Sequence, residues 1–157
     1  MLYFIISLIG LFIGGLLSYI SPKEMKDGEK YFKLICFATI ITLIIVGFVY
    51  SFNIWLFIIG LILGIFFYNE YLYFGIFSVS MLISGRNPIL VSSLIFIYGL
   101  PSGSLLYHKK RYLGFLSNTL LFFISFLLYF TSIDFTSLAV GGLAGIIIRR
   151  LKKGNLF

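Results

Sequence analysis

Three observations predict an all-α bundle of about seven short membrane spans. Of the 157 residues, 61% are hydrophobic and only 11% are charged, well under the roughly 25% charged residues of soluble domains. The apolar runs do not alternate with polar residues, and a bilayer admits only spans that satisfy their own backbone groups, so helices are favoured over a barrel. Eleven of the twelve Lys and Arg residues fall in three clusters between apolar runs: Lys23, Lys26, Lys30 and Lys33; Lys109, Lys110 and Arg111; and Arg149, Arg150, Lys152 and Lys153. Only Arg86 stands apart. Basic residues flanking spans stay on the cytoplasmic side, so the clusters carry orientation as well as class.

The first apolar run, Leu2 to Ile20, has no basic residue before it and no small-x-small site after it, which reads as a retained span rather than a cleaved signal. Ser21 and Pro22 end it. The charged stretch from Lys23 to Lys33 follows and reads as a solvated loop or a short surface helix. Leu34 to Gly85 is then a 52-residue apolar stretch interrupted only by Asn53, Asn69 and Glu70. Two helices there would put Glu70 near the middle of one, at about 2.5–3.5 kcal/mol for a carboxylate at the membrane centre. Three would be short, near the lower limit for a hydrocarbon layer of about 30 Å.

Charge decides between these counts. Three helices give seven spans, near 3–20, 34–52, 54–69, 71–85, 89–107, 112–130 and 134–148, with eleven basic residues on one side and one on the other. Two helices invert the later loops and leave seven against five. The expectation is therefore a single multi-pass domain, 1–157, in the cell membrane, with the N-terminus outside and the C-terminus cytoplasmic. The connections contain Asn, Gly and Pro, which form tight turns.

Glycines recur at helix-packing spacing as Gly10 and Gly14, Gly60 and Gly64, Gly99 and Gly103, and Gly141 and Gly145, where the missing side chain lets two backbones approach. Packing within the chain is the expected use, with a homodimer or another membrane subunit as the alternative partner. The pair at Gly60 and Gly64 matches that at Gly141 and Gly145 at an offset of 81 residues, and Tyr50 matches Tyr129 at 79. The first three and last three spans thus share a pattern as parallel halves joined by one linking span. That three-plus-one-plus-three layout is similar in outline to SWEET-type sugar carriers, whose Pro-Gln pair and matching helix prolines this chain lacks.

Few polar groups fall within the apolar layer. Glu70, with Asn69 beside it, either caps a tight turn or marks an ion path, as membrane carboxylates often do. Asn118 is the amide most costly to leave facing lipid, and Ser and Thr residues in the spans serve either a hydrophilic path or helix-to-helix hydrogen bonds. Pro101, in Gly99-Leu-Pro-Ser-Gly-Ser104, is expected to break or kink the fifth span and expose backbone groups to a solute. Arg86 is a candidate contact for an anionic group on the outer side, or a partner for Asp134. These residues define a candidate substrate or ion path: Glu70, Asn118, Asn69 and Pro101.

No serine-hydrolase elbow, H-E-x-x-H pair, Walker loop or dinucleotide fingerprint occurs, so no catalytic residue is assigned. One His and one Cys give no basis for a metal centre or a cofactor. The net charge of +7 sits at span ends rather than along a readout face, which points to anionic lipid headgroups and away from nucleic acid. A transporter or channel moving a small solute or ion is the leading expectation. A non-catalytic subunit of a membrane complex is the alternative.

Overall fold

The described residues fold as seven α-helices: α1 Leu2–Ile20, α2 Pro22–Tyr50, α3 Ile54–Phe66, α4 Glu70–Ile83, α5 Ile89–His108, α6 Tyr112–Ile124 and α7 Thr136–Lys152, with a 3₁₀ segment, Ser125–Thr131, continuing α6. The computed structural model describes residues 2–152, apart from the side chains of 23–26; Lys153 and the side chains of Lys23 and Lys26 therefore lie outside the described residues. Among the described residues, four helical stretches are long and apolar enough to cross a membrane: α1, α2 from Asp27, α5, and α6 with its 3₁₀ continuation. The apolar helices α3 and α4 are shorter, at 13 and 14 residues.

The 52-residue apolar stretch divides into three helices, and its polar interruptions are the reason. Asn53 caps α3 by accepting from the backbone N–H groups of Trp55 and Leu56, and Asn69 caps α4 by accepting from those of Tyr71 and Leu72. Each cap satisfies donors that a helix start leaves orphaned. Glu70 accordingly sits in the first turn of α4, where its negative charge suits the helix dipole, and not in the middle of a longer helix.

Two expectations require correction. The charged stretch 23–33 is not a loop or a separate helix, because α2 begins at Pro22 and runs unbroken to Tyr50. Pro at the first helical position is preset for the helix, Lys and Glu are good helix formers, and Glu29 pairs with Lys33 one turn on at 3.1 Å. Nor does Pro101 break the fifth span. Helix α5 continues through it, and Pro101 is buried, so neighbouring helices hold the local geometry that one lost backbone bond would weaken.

Two glycine seams organise the bundle. Along α1 and α5, a Cβ added to Gly14 would lie 2.0 Å from the carbonyl oxygen of Leu100, and one added to Gly103 would lie 2.0 Å from that of Leu11. Along α3 and α7, Gly60 faces the carbonyl of Leu138 and Gly141 that of Phe57, each at 2.1 Å; Gly64 likewise faces Gly142, and Gly145 faces Leu61. No side chain fits at such distances, so the backbones are in direct contact. Both seams are parallel and reciprocal: Leu11 and Leu100 are 89 residues apart, as are Gly14 and Gly103, while Phe57 and Leu138 share the offset of 81 with the glycines. The glycine pair of α1 therefore packs on that of α5, and the pair of α3 on that of α7. The smaller second offset reflects the two extra turns that α2 carries in its charged N-terminal part.

Helix α4 is the buried centre. Every residue from Tyr73 to Met81 is buried, against α6, its 3₁₀ continuation and α7, with α1 and α5 also in contact. A helix apolar on all sides belongs inside. Hydroxyls pin neighbouring backbones: Ser104 donates to the carbonyl of Gly14, Ser125 to that of Leu72, and Ser80 accepts from the N–H of Phe135. The two ends of the bundle differ in charge. At one end Arg86 meets Asp134 at 3.2 Å. The other end collects the described members of the three basic clusters, among them Lys33, Lys109, Arg111 and Arg150.

Candidate functional site

The basic end holds a cavity of about 470 Å³. Lys33 and Cys36 of α2 line one wall, and Tyr98, Ser102, Leu105 and Leu106 of α5, with Lys109 just past its end, another. Tyr68, Asn69 and Glu70 at the junction of α3 and α4, Arg111 before α6, Asn118 of α6 and Arg150 of α7 complete it. Three of the four path candidates, Glu70, Asn69 and Asn118, thus come together. Asn69, whose Oδ1 caps α4, donates through Nδ2 to Asn118 Oδ1 at 2.8 Å, so one amide serves helix and site at once. Pro101 does not line the cavity; the next residue, Ser102, does. Arg86 lies at the opposite end with its charge taken by Asp134, which also accepts from the N–H and hydroxyl of Thr136. A half-buried cation paired this way is not an open anion contact.

Glu70 lacks a basic neighbour in sequence but has one in space. Arg150 contacts its carboxylate, and the two side chains are only 18% and 12% exposed. Arg150 also donates to Tyr68 Oη at 2.8 Å. Its neighbour Arg149 donates to the carbonyls of Ile65 and Phe66, supplying positive charge to the orphaned acceptors at the end of α3. The arginines of the last cluster are therefore structural ties between α7, α3 and the start of α4.

On the facing side, Glu29 lies between Lys109 at 2.8 Å and Lys33 at 3.1 Å. Hydrogen bonds from Lys109 first, and then from Lys33, hold its carboxyl down at about 2, against an ordinary value of 4.5. The end of α5 that presents Lys109 and Arg111 is closed tightly. Arg111 N–H bonds back to the carbonyl of Leu106, and Lys110 N–H to that of Tyr107, with Lys110 in the left-handed region at φ 55°. That closure is the same paired motif that ends α4, where Gly85 takes the left-handed position. It carries the chain through a turn so that Lys109 and Arg111 line the cavity while Lys110 does not.

The lining thus sets four cations, Lys33, Lys109, Arg111 and Arg150, against one carboxylate, Glu70. Beyond Tyr98, which lines the cavity, aromatic rings are packed together: Tyr98 sits edge-on to Phe74 at 4.7 Å and to Tyr71 at 5.9 Å. Tyr71 is fully buried, and its hydroxyl has no hydrogen-bond partner within bonding distance among the described residues. Among the described residues no three His, Cys, Asp or Glu side chains converge.

Sequence reasoning found the acidic and amide groups and missed the cations as cavity lining, having assigned these to orientation and to anionic lipid headgroups. The signal was present, because the seven-span count already put all three basic clusters at the same end as Glu70. No family model, curated protein or solved structure matches the chain.

Proposed function

We propose that the chain is an integral membrane protein of seven crossings, N-terminus outside and basic end toward the cytoplasm, and that it moves a small solute through the cavity at that end. Four helical stretches of spanning length support the membrane reading. The short α3, about 20 Å long at 1.5 Å per residue, crosses with help from its flanking segments, Ser51–Asn53 and Phe67–Asn69, under local thinning of the bilayer. Anionic headgroups would meet the exposed lysines around the rim.

The observation that carries the transport reading is an open polar cavity that gathers Glu70, Asn69 and Asn118 with four cations at one end of the bundle. It opens toward one end, and beyond Tyr98 the rings of Tyr71 and Phe74 are packed together, an arrangement that suits one state of an alternating-access carrier. Both glycine seams are used inside the chain, so a homodimer or a larger complex would have to employ another face.

Flux into proteoliposomes tests this directly, with phosphate, sulfate, citrate, potassium and glucose as the panel. The expected result is uptake of at least one solute, reduced about tenfold by Glu70→Gln, with Asn118→Ala as a second, milder variant. No uptake across the panel by folded protein would remove the transport reading. Purification in fixed ratio with an unrelated membrane protein would replace it with the subunit reading.

A further inference from the structure

We infer that the ligand of the basic cavity carries a phosphate monoester group. This rests on the cavity being the ligand site; it does not require that the ligand crosses the membrane. Charge is the first argument. Arg150 is committed to Glu70 and Tyr68. Lys33 and Lys109 share a single carboxylate, Glu29, and Arg111 pairs with no carboxylate among the described residues. Counting Glu70 and Glu29, four cations meet two anions, and two positive charges are left over around one concave space. Recesses lined by one sign of charge focus the field and favour a ligand of opposite sign.

The size of that surplus selects the ligand. A phosphate monoester carries about −1.5 to −2 at neutral pH and offers three strong acceptor oxygens, whereas a monocarboxylate would leave one cation uncompensated. Arg111 presents a planar fork and Lys109 a mobile point charge, the two complementary ways of holding phosphate. Asn118, whose Oδ1 is taken by Asn69, has its amide N–H groups left to donate. The remaining wall is Cys36, Leu105, Leu106 and the rings of Tyr68 and Tyr98, with Ser102 among them. At about 470 Å³ the cavity has the size of ordinary organic-ligand pockets. An organic phosphate fits both the charged rim and the apolar wall.

Glu29 occupies the lysines in the meantime. Its carboxylate, 2.8 Å from Lys109 and 3.1 Å from Lys33, is an internal anion that an arriving phosphate must displace. Removing its charge therefore strengthens binding, while removing Lys109 or Arg111 weakens it.

Titration calorimetry on the purified full chain at low salt and pH 7.5 tests this, with inorganic phosphate and phenyl phosphate as probes and acetate as the monoanion control. The protein is placed in phosphatidylcholine nanodiscs with or without phosphatidic acid, a lipid whose headgroup is itself a phosphate monoester. Expected are saturable binding of the phosphates, about tenfold weaker binding of acetate, about tenfold loss in Lys109→Gln and in Arg111→Gln, and a gain of about threefold or more in Glu29→Gln. If phosphatidic acid in the disc blocks the phosphates and the same variants relieve that block, the source is a lipid; if it does not compete, the source is a soluble ester. Either result supports the inference. It is overturned if folded protein binds neither probe and phosphatidic acid shows no variant-sensitive contact, or if Lys110→Gln, outside the cavity, weakens binding as much as Lys109→Gln. Binding without flux would leave the phosphate ligand standing and remove the carrier.

Discussion

Glu29 holds two lysines of different helices, and its protonation should be felt by both. The carboxyl titrates at about 2 when folded, below its ordinary 4.5, so the pair's stabilisation is complete above pH 4.5 and drains away as pH falls toward 2. Thermal midpoints measured from pH 7 to pH 3 should decline in the native chain, and Glu29→Gln should flatten the part of that decline below pH 4.5; identical slopes would mean the contact does not tie α2 to α5. Glu70 acts more deeply. Glu70→Gln leaves the mostly buried Arg150 guanidinium uncompensated, which should cost about 2 kcal/mol, somewhat less than the roughly 3–5 of a fully buried broken pair. Adding Arg150→Gln should recover part of that loss, and strict additivity in the double-mutant cycle would show the pair to be energetically idle. Lys110 is a residue in the wrong conformation for its type. A glycine there takes φ 55° without strain, so Lys110→Gly should raise stability by about 0.5–1 kcal/mol, read as a higher midpoint in detergent.

At the level of elements, the glycine seams separate positions that tolerate a methyl group from positions that do not. A Cβ at Gly64 would meet the carbonyl of Gly142 at 2.1 Å, whereas at Gly114 its nearest neighbour is a flexible leucine methyl at 2.9 Å. Gly64→Ala should therefore cost about 2 kcal/mol or more as two helices part, and Gly114→Ala under about 1 kcal/mol; comparable losses would show that backbone contact is not what joins α3 to α7. These seams were legible in the sequence as four glycine pairs at a spacing of four, but which pair met which was not, because spacing names a face and not its partner. The helix ends were legible through Asn53, Asn69 and Asn87-Pro88. The continuity of α2 through its charged turns was hidden by composition, since lysines and glutamates read as solvent-facing whether or not the backbone is helical. Pro101 misled for the opposite reason: local chemistry predicts a break, and packing on α1 and α2 overrides it.

For the molecule as a whole, the proposed orientation makes a plain prediction about reagent access. With Cys36 changed to serine, a cysteine at Asn87 should react with an impermeant maleimide added to intact cells, and one at Lys110 should react only after lysis. Reversed labelling would invert the protein and put the cavity outside. Half of the candidate site could be read in advance, in Glu70, Asn69 and Asn118, because carboxylates and amides are conspicuous among apolar residues. The cations were less visible, since residues 33, 109, 111 and 150 meet around one cavity only when the first half of α2 lies beside the ends of α5 and α7. The arrangement of the seams has one more consequence. Each joins a helix from before the Gly85–Pro88 turn to a helix from after it, so neither half of the chain can complete a seam alone. Severed at that turn and produced from two separate messages, the pieces should be poor tenants of the bilayer singly and should reassemble into a working whole when made together.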